Sequence, residues 1–239
     1  MKKTLLAAIT LISASSTFAA DSVDLKVGGT IAPVGCFPTL SGGGAIDYGD
    51  IKVDTLRPDS YTALSKKSIA LTITCDGMTK LSLKAINNRS GTIGEGAGGQ
   101  LESKNNTGAS SPNPSDGTNS TVVGLGMDGS NKIGSYFMAF DGPTVTVDGH
   151  AMSLISYSKG VGWTTTGASY FYDRFDPVDV SWGTLMATKP GNPTFGSPSA
   201  FKTMTSNISV QAYIAKASSL DLTKPLTLDG STTIELVYL

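Results

Sequence analysis

Few residues in this chain are of a type that does chemistry. Cys36 and Cys75 are the two cysteines and His150 is the one histidine. Two thiols with a single imidazole make a poor metal site, so a disulfide is the default reading for an even pair in an exported chain. Closing a loop of roughly 40 residues is worth about 4 kcal/mol on the chain-entropy account. His150 ends Val147-Asp148-Gly149-His150, which reads as a hairpin turn and not as a general base. Asp173 and Asp176 flank Arg174 in a polar turn, which favours surface ion pairs over an acid–base couple. Asp128, Asn131 and Asp116-Gly117 are turn chemistry too, because a calcium loop needs several oxygens at closer alternate spacing. No Gly-Xaa-Ser-Xaa-Gly elbow and no phosphate loop occurs in the sequence. The expectation is a protein that is not an enzyme, with no metal and no cofactor. A secreted hydrolase stays as a weak alternative, since only the fold could bring carboxylates together.

The amino-terminal residues set the compartment in which those cysteines meet. Lys2 and Lys3, the apolar stretch Leu5 to Ile12 and a polar patch before Phe18-Ala19-Ala20 make residues 1–20 a cleavable export signal. Cleavage after Ala19 puts small Thr17 at the −3 position, whereas cleavage after Ala20 puts bulky Phe18 there, so the first is preferred. No later segment reaches about 18 consecutive apolar residues, so no membrane span is expected after cleavage. The signal carries two of the 18 basic residues and none of the 19 acidic ones, leaving 16 against 19, a net charge of −3. That balance is no electrostatic footprint for nucleic acid. Residues 21–239 are then read as a single β-sandwich domain, rich in Gly, Thr, Ser, Val and Ile.

Residues 23–31 alternate, with Val23, Leu25, Val27, Gly29 and Ile31 on one face, as in a half-buried strand. A short strand is read over Ala45–Ile51. Residues 68–75 alternate again, Asp76-Gly77 is expected to stop that strand, and Lys80–Ile86 starts another. Residues 91–120 hold almost no large apolar group, and read as a long Gly/Ser/Asn-rich mobile insertion. Strands resume at Val122–Met127, Ile133–Phe140, 143–148, 151–158 and Val178–Trp182. Residues 188–199 look irregular, and Asn207–Ala215 and Thr232–Leu239 close the chain. These elements suit an antiparallel sandwich.

Three features together resemble the pilin-type subunits of chaperone–usher fimbriae, including their longer, poorly characterised associates. They are Gly29 to Cys36 with the apolar strand ending at Cys75, the stretch Ile46-Asp47-Tyr48-Gly49-Asp50-Ile51, and the final strands with Tyr238 at the penultimate position. The resemblance covers roughly residues 23–86 and 205–239. It implies an incomplete immunoglobulin-like sandwich, completed by strand exchange with a periplasmic chaperone and then with a neighbouring fimbrial subunit; an outer-membrane usher would assemble the fibre. It also implies that Ile234, Leu236 and Tyr238 zip against the chaperone, with the Leu239 carboxylate anchored by basic chaperone residues. Two departures stand out: little chain precedes the alternation at Val23, and Gly230 lies closer to the end than the corresponding pilin glycine. The first leaves two expectations: the alternating segment is itself the donor strand, or the chain donates nothing and sits at a tip or accessory position. Trp163, Tyr170, Tyr172 and Trp182 are candidates for stacking on a glycan or host surface, though core packing explains such residues as well. The leading expectation is therefore a structural or adhesive subunit, exported through the periplasm to a fimbrium or cell surface. The alternative is a self-contained periplasmic β-sandwich binding protein.

Overall fold

The computed structural model describes residues 24–31, 34–89, 91–93, 122–165, 172–173, 176–177, 180–185 and 195–239. The chain divides at Pro33, and residues 34–239 carry the sheets. In chain order the strands are β1 (Cys36–Leu40), β2 (Thr62–Ala63), β3 (Lys67–Thr79), β4 (Leu81–Asn87), β5 (Val122–Gly124), β6 (Met127–Asp128), β7 (Asn131–Lys132), β8 (Gly134–Phe140) and β9 (Thr146–Val147). Then follow β10 (His150–Ala151), β11 (Ser153–Ser158), β12 (Gly162–Thr164), β13 (Tyr172–Asp173), β14 (Asp176–Pro177), β15 (Val180–Leu185), β16 (Gly196–Pro198), β17 (Phe201–Ile214) and β18 (Thr232–Tyr238). Among the described residues the larger sheet runs β1-β3-β17-β8-β5 and the second β12-β11-β15-β4-β18, with antiparallel pairing, and β6-β7 and β13-β14 form two small pairs.

Alternation decides the core. Ile69, Leu71, Ile73 and Cys75 of β3 and Met204, Ile208, Val210 and Ala212 of β17 face inward. They meet Leu81, Leu83 and Ala85 of β4 with Leu154 and Val180, closing an all-β antiparallel sandwich. Each such Leu or Ile contributes about 1.5–3 kcal/mol on burial. All seven residues of β8 are buried. Tyr136, Met138 and Phe140 join this core, while Phe137 and Ala139 pack with Val122 and Tyr213 on the outer face, which is why the strand reads as a continuous apolar run. Cys36 and Cys75 form the disulfide and are direct register partners of β1 and β3. Val147-Asp148-Gly149-His150 is the β9–β10 hairpin turn, with Val147 opposite His150.

Four readings are corrected. Asp76-Gly77 does not stop β3: the dipeptide is absorbed in a register shift opposite Phe201/Thr203, and the strand runs on to Thr79 because the β17 ladder continues past it. Residues 45–51 form no strand, since the Asp47 carboxylate accepts from the Gly49 amide (2.8 Å) and Gly49 adopts φ +63°, a turn that breaks any ladder. Residues 24–31 form no strand either, and Leu25, Val27 and Ile31 are 90%, 92% and 101% exposed. Alternation specifies a face but supplies no ladder partner. Gly196–Pro198, inside a stretch read as irregular, is a strand lying so close to Ile155 that a Cβ on Gly196 would come within 2.6 Å of it. The export signal expected at residues 1–20 and nearly all of the insertion expected at 91–120 lie outside the described residues.

Candidate functional site

Each sheet ends, among the described residues, on an edge strand that is short or lightly packed: β1 in one, β18 in the other. In β18 no residue is fully buried; Ile234 and Leu236 pack partly against the core, and Tyr238 is half exposed. Beside this pair of edges the sandwich is open. An apolar groove of about 650 Å³ has its floor on the inner faces of β3, β17 and β8, including Ile69, Ile208, Val210 and Met138. One wall comes from 40–56, with Leu40, Ile46, Tyr48 and Leu56; the other comes from 220–234, with Leu220, Leu226, Leu228 and Ile234.

Both walls are pinned by polar contacts. The Tyr48 hydroxyl accepts from the Ala212 amide (3.1 Å) and donates to the Val210 carbonyl (3.4 Å). These two groups face the break between β2 and β3: the Leu64 amide still donates to the Ala212 carbonyl (2.9 Å), but the Leu64 carbonyl accepts from Gln211 Nε2 (2.9 Å), and the phenol takes the Ala212 amide in its place. Burial pushes the Tyr48 hydroxyl above its ordinary value, and the Ala212 amide pulls it back. Lys67 lies 5.1 Å over the ring and donates to the Asp47 carbonyl (2.6 Å). On the opposite wall, Lys224 bridges Asp128 (3.1 Å) and Asp221 (3.4 Å). The Arg89 guanidinium grips Asp229 through Nη2–Oδ1 (2.5 Å) and Nε–Oδ2 (2.9 Å), and so holds that carboxyl below the usual range. The Asp229 amide donates to the Leu125 carbonyl (3.0 Å). Gly230 lies against the Tyr136 ring, where a Cβ would stand 2.7 Å from Cε1. The Tyr136 hydroxyl bonds Thr232 Oγ1. Burial drives this phenol up to about 12, opposed by that bond and by the Arg89 charge.

Of the residues expected at a site, Ile234, Leu236, Tyr238 and Leu239 fall together on β18 and its end, and Ile234 lines the groove. The Leu239 amide donates to the Lys80 carbonyl (3.1 Å). Trp163 sits elsewhere, on β12, in a tilted pair with Tyr157 at 5.4 Å between ring centres. Tyr170 lies outside the described residues. Tyr172 and Trp182 lie on β13 and β15, on backbone that does not meet at the groove lining, and their side chains are outside the described set. The groove floor and the 220–230 wall were missed by sequence reasoning; the clustered Leu220, Leu222, Leu226 and Leu228 are the signal that could have found the latter.

The family model described as "Protein of unknown function (DUF1120)" matches residues 25–137. The protein YhcF of Escherichia coli (strain K12), which is described as uncharacterised, is 30% identical over 236 residues, covering 95% of this chain and 94% of that protein. The protein GltF of the same organism is 34% identical over 88 residues, 34% of this chain and 35% of that protein. With the likeness to YhcF running almost end to end and the family match falling on the same chain, the protein belongs to the DUF1120 family.

Proposed function

We propose that this chain is an exported, non-enzymatic structural or adhesive subunit of fimbrial type, whose incomplete immunoglobulin-like sandwich is closed by a strand from outside. The observation that carries this reading is the apolar groove beside the edge of β18 that has no strand partner among the described residues. Main-chain groups on such an edge take an added strand, and alternate side chains fill the floor. In transit through the periplasm a chaperone lends that strand. In the assembled state a second copy or a neighbouring subunit supplies it, and residues 23–31 have the matching pattern, with Leu25, Val27 and Ile31 exposed on one alternating row. This favours a donating subunit over a terminal one. An outer-membrane usher and delivery to the cell surface belong to the same reading. A self-contained binding protein is the less favoured alternative, because it needs no open groove.

Expression of the exported chain in the periplasm with and without its cognate chaperone tests the proposal. The expected result is stable protein only with the chaperone, and loss of chaperone capture on deleting Ile234–Leu239. Equal yields of stable monomer in both cases would overturn it.

A further inference from the structure

The two edges that flank the groove are unequal, and one end of the seam between them is shut. On β18, the Asn88 amide bonds the Ser231 carbonyl and the Leu239 amide bonds the Lys80 carbonyl. By antiparallel alternation, Ser231, Thr233, Glu235, Val237 and Leu239 face β4, and the main-chain groups of Thr232, Ile234, Leu236 and Tyr238 point to the free edge. On β1, the Asp76 amide bonds the Gly35 carbonyl, so Cys36, Pro38 and Leu40 point to its free edge. Pro38 has no amide hydrogen. The Cys36 amide is already spent, because it donates to the Tyr238 hydroxyl across the seam (3.0 Å).

The groove respects this closure. Its lining includes Leu40 of β1 with Thr232 and Ile234 of β18, and stops there: none of residues 36–39 or 236–239 takes part. Beyond that point Cys36 and Leu236 pack against the core and Tyr238 joins the two edges. The disulfide ties Cys36 to β3, so the amide that Tyr238 holds is on a fixed strand.

Resting on the proposed strand addition, we infer that Tyr238 is a positioning residue that stops the incoming strand. The added strand pairs with the first half of β18, at Thr232 and Ile234, and ends before Tyr238. β1 gives the seat an apolar wall and few donors. The stop then fixes the register of the incoming alternation, which matters because a one-residue slip would turn every apolar side chain outward.

Residue-resolved amide hydrogen exchange, measured on the exported chain with and without a synthetic peptide of residues 22–32, tests this. Peptide binding should slow exchange at Thr232 and Ile234 by at least about tenfold and leave the Tyr238 amide unchanged. In Tyr238→Ala, whose parent side chain is half exposed, protection should extend to position 238. Protection at 238 in the unaltered chain, or the same pattern in both proteins, overturns the stop while leaving strand addition standing. Binding with no protection anywhere on β18 overturns it as well. A peptide that does not bind at all overturns the proposed function, and the stop with it.

Discussion

Replacing Tyr48 by Phe keeps the ring that lines the groove and lies under Lys67, and removes a single oxygen. That oxygen serves two main-chain groups of β17, and Ala212 is 0% exposed. The Ala212 amide cannot turn to β8. The Ala215 amide bonds the Ile133 carbonyl, so alternation gives Tyr213 and Gln211 to that ladder and points Ala212 the other way. Nor does the segment on its own side take it: between β2 and β3 the Leu64 amide donates to the Ala212 carbonyl, while the Leu64 carbonyl accepts from Gln211 Nε2. An orphaned buried amide costs about 1–3 kcal/mol. The Val210 carbonyl adds less, its bond being long at 3.4 Å. A loss of about 2 kcal/mol is therefore expected, which lowers the melting temperature by about 4–8 °C for a chain of this size. Urea unfolding with the disulfide intact should show a lower midpoint at an unchanged slope, because the compactness of the two states is not altered. Lys67→Met serves as a control that keeps the hydroxyl and should cost under about 1 kcal/mol. A Tyr48→Phe midpoint indistinguishable from that of the parent would refute the claim that the phenol completes the ladder.

Two further outcomes follow from the groove's pinned wall. Gly230→Ala should destabilise the protein by about 1–3 kcal/mol, because a Cβ there meets Tyr136 Cε1 at 2.7 Å and Leu125 Cδ2 at 3.1 Å; thermal melts in a Tyr136→Leu background should recover part of the loss, and an equal loss in both backgrounds would count against the contact. Stability should also fall at alkaline pH. The Tyr136 phenol holds its proton to about 12 in the folded chain but to about 10 when unfolded, so its contribution is complete below pH 10 and disappears as pH rises through 12. The shift corresponds to a loss of about 2–3 kcal/mol. Denaturation at a series of pH values should show this slope, and Tyr136→Phe should flatten it; an unchanged slope in the variant would assign the alkaline loss to other groups.

How much of this was legible beforehand differs from element to element. Ile69, Leu71, Ile73 and Cys75 announce β3 because period-two alternation is a local property of the chain, and the same holds for the inward rows of β17 and β18, whereas β8 is legible as an unbroken apolar run. The limits of β3 were not legible, since a dipeptide that turns in isolation is drawn out when β17 offers it a ladder. The Ile46–Ile51 stretch was noticed for its resemblance, yet Tyr48 acts there as a single hydroxyl inserted into another strand's gap 162 residues away.

Local composition and patterning alone thus determined the all-β class, the pairing of Cys36 with Cys75 and the place of Ile234, Leu236 and Tyr238 on one final strand. Each rests on short-range rules: side chains alternate along a strand, and an even pair of thiols outside the cytoplasm oxidises. Only the tertiary structure decided that residues 24–31 stay out of any ladder, that an apolar groove opens beside β18, and that Tyr238 reaches Cys36. Those outcomes depend on which edges meet and which remain bare, and an edge is a relation between distant strands that no single stretch of sequence contains.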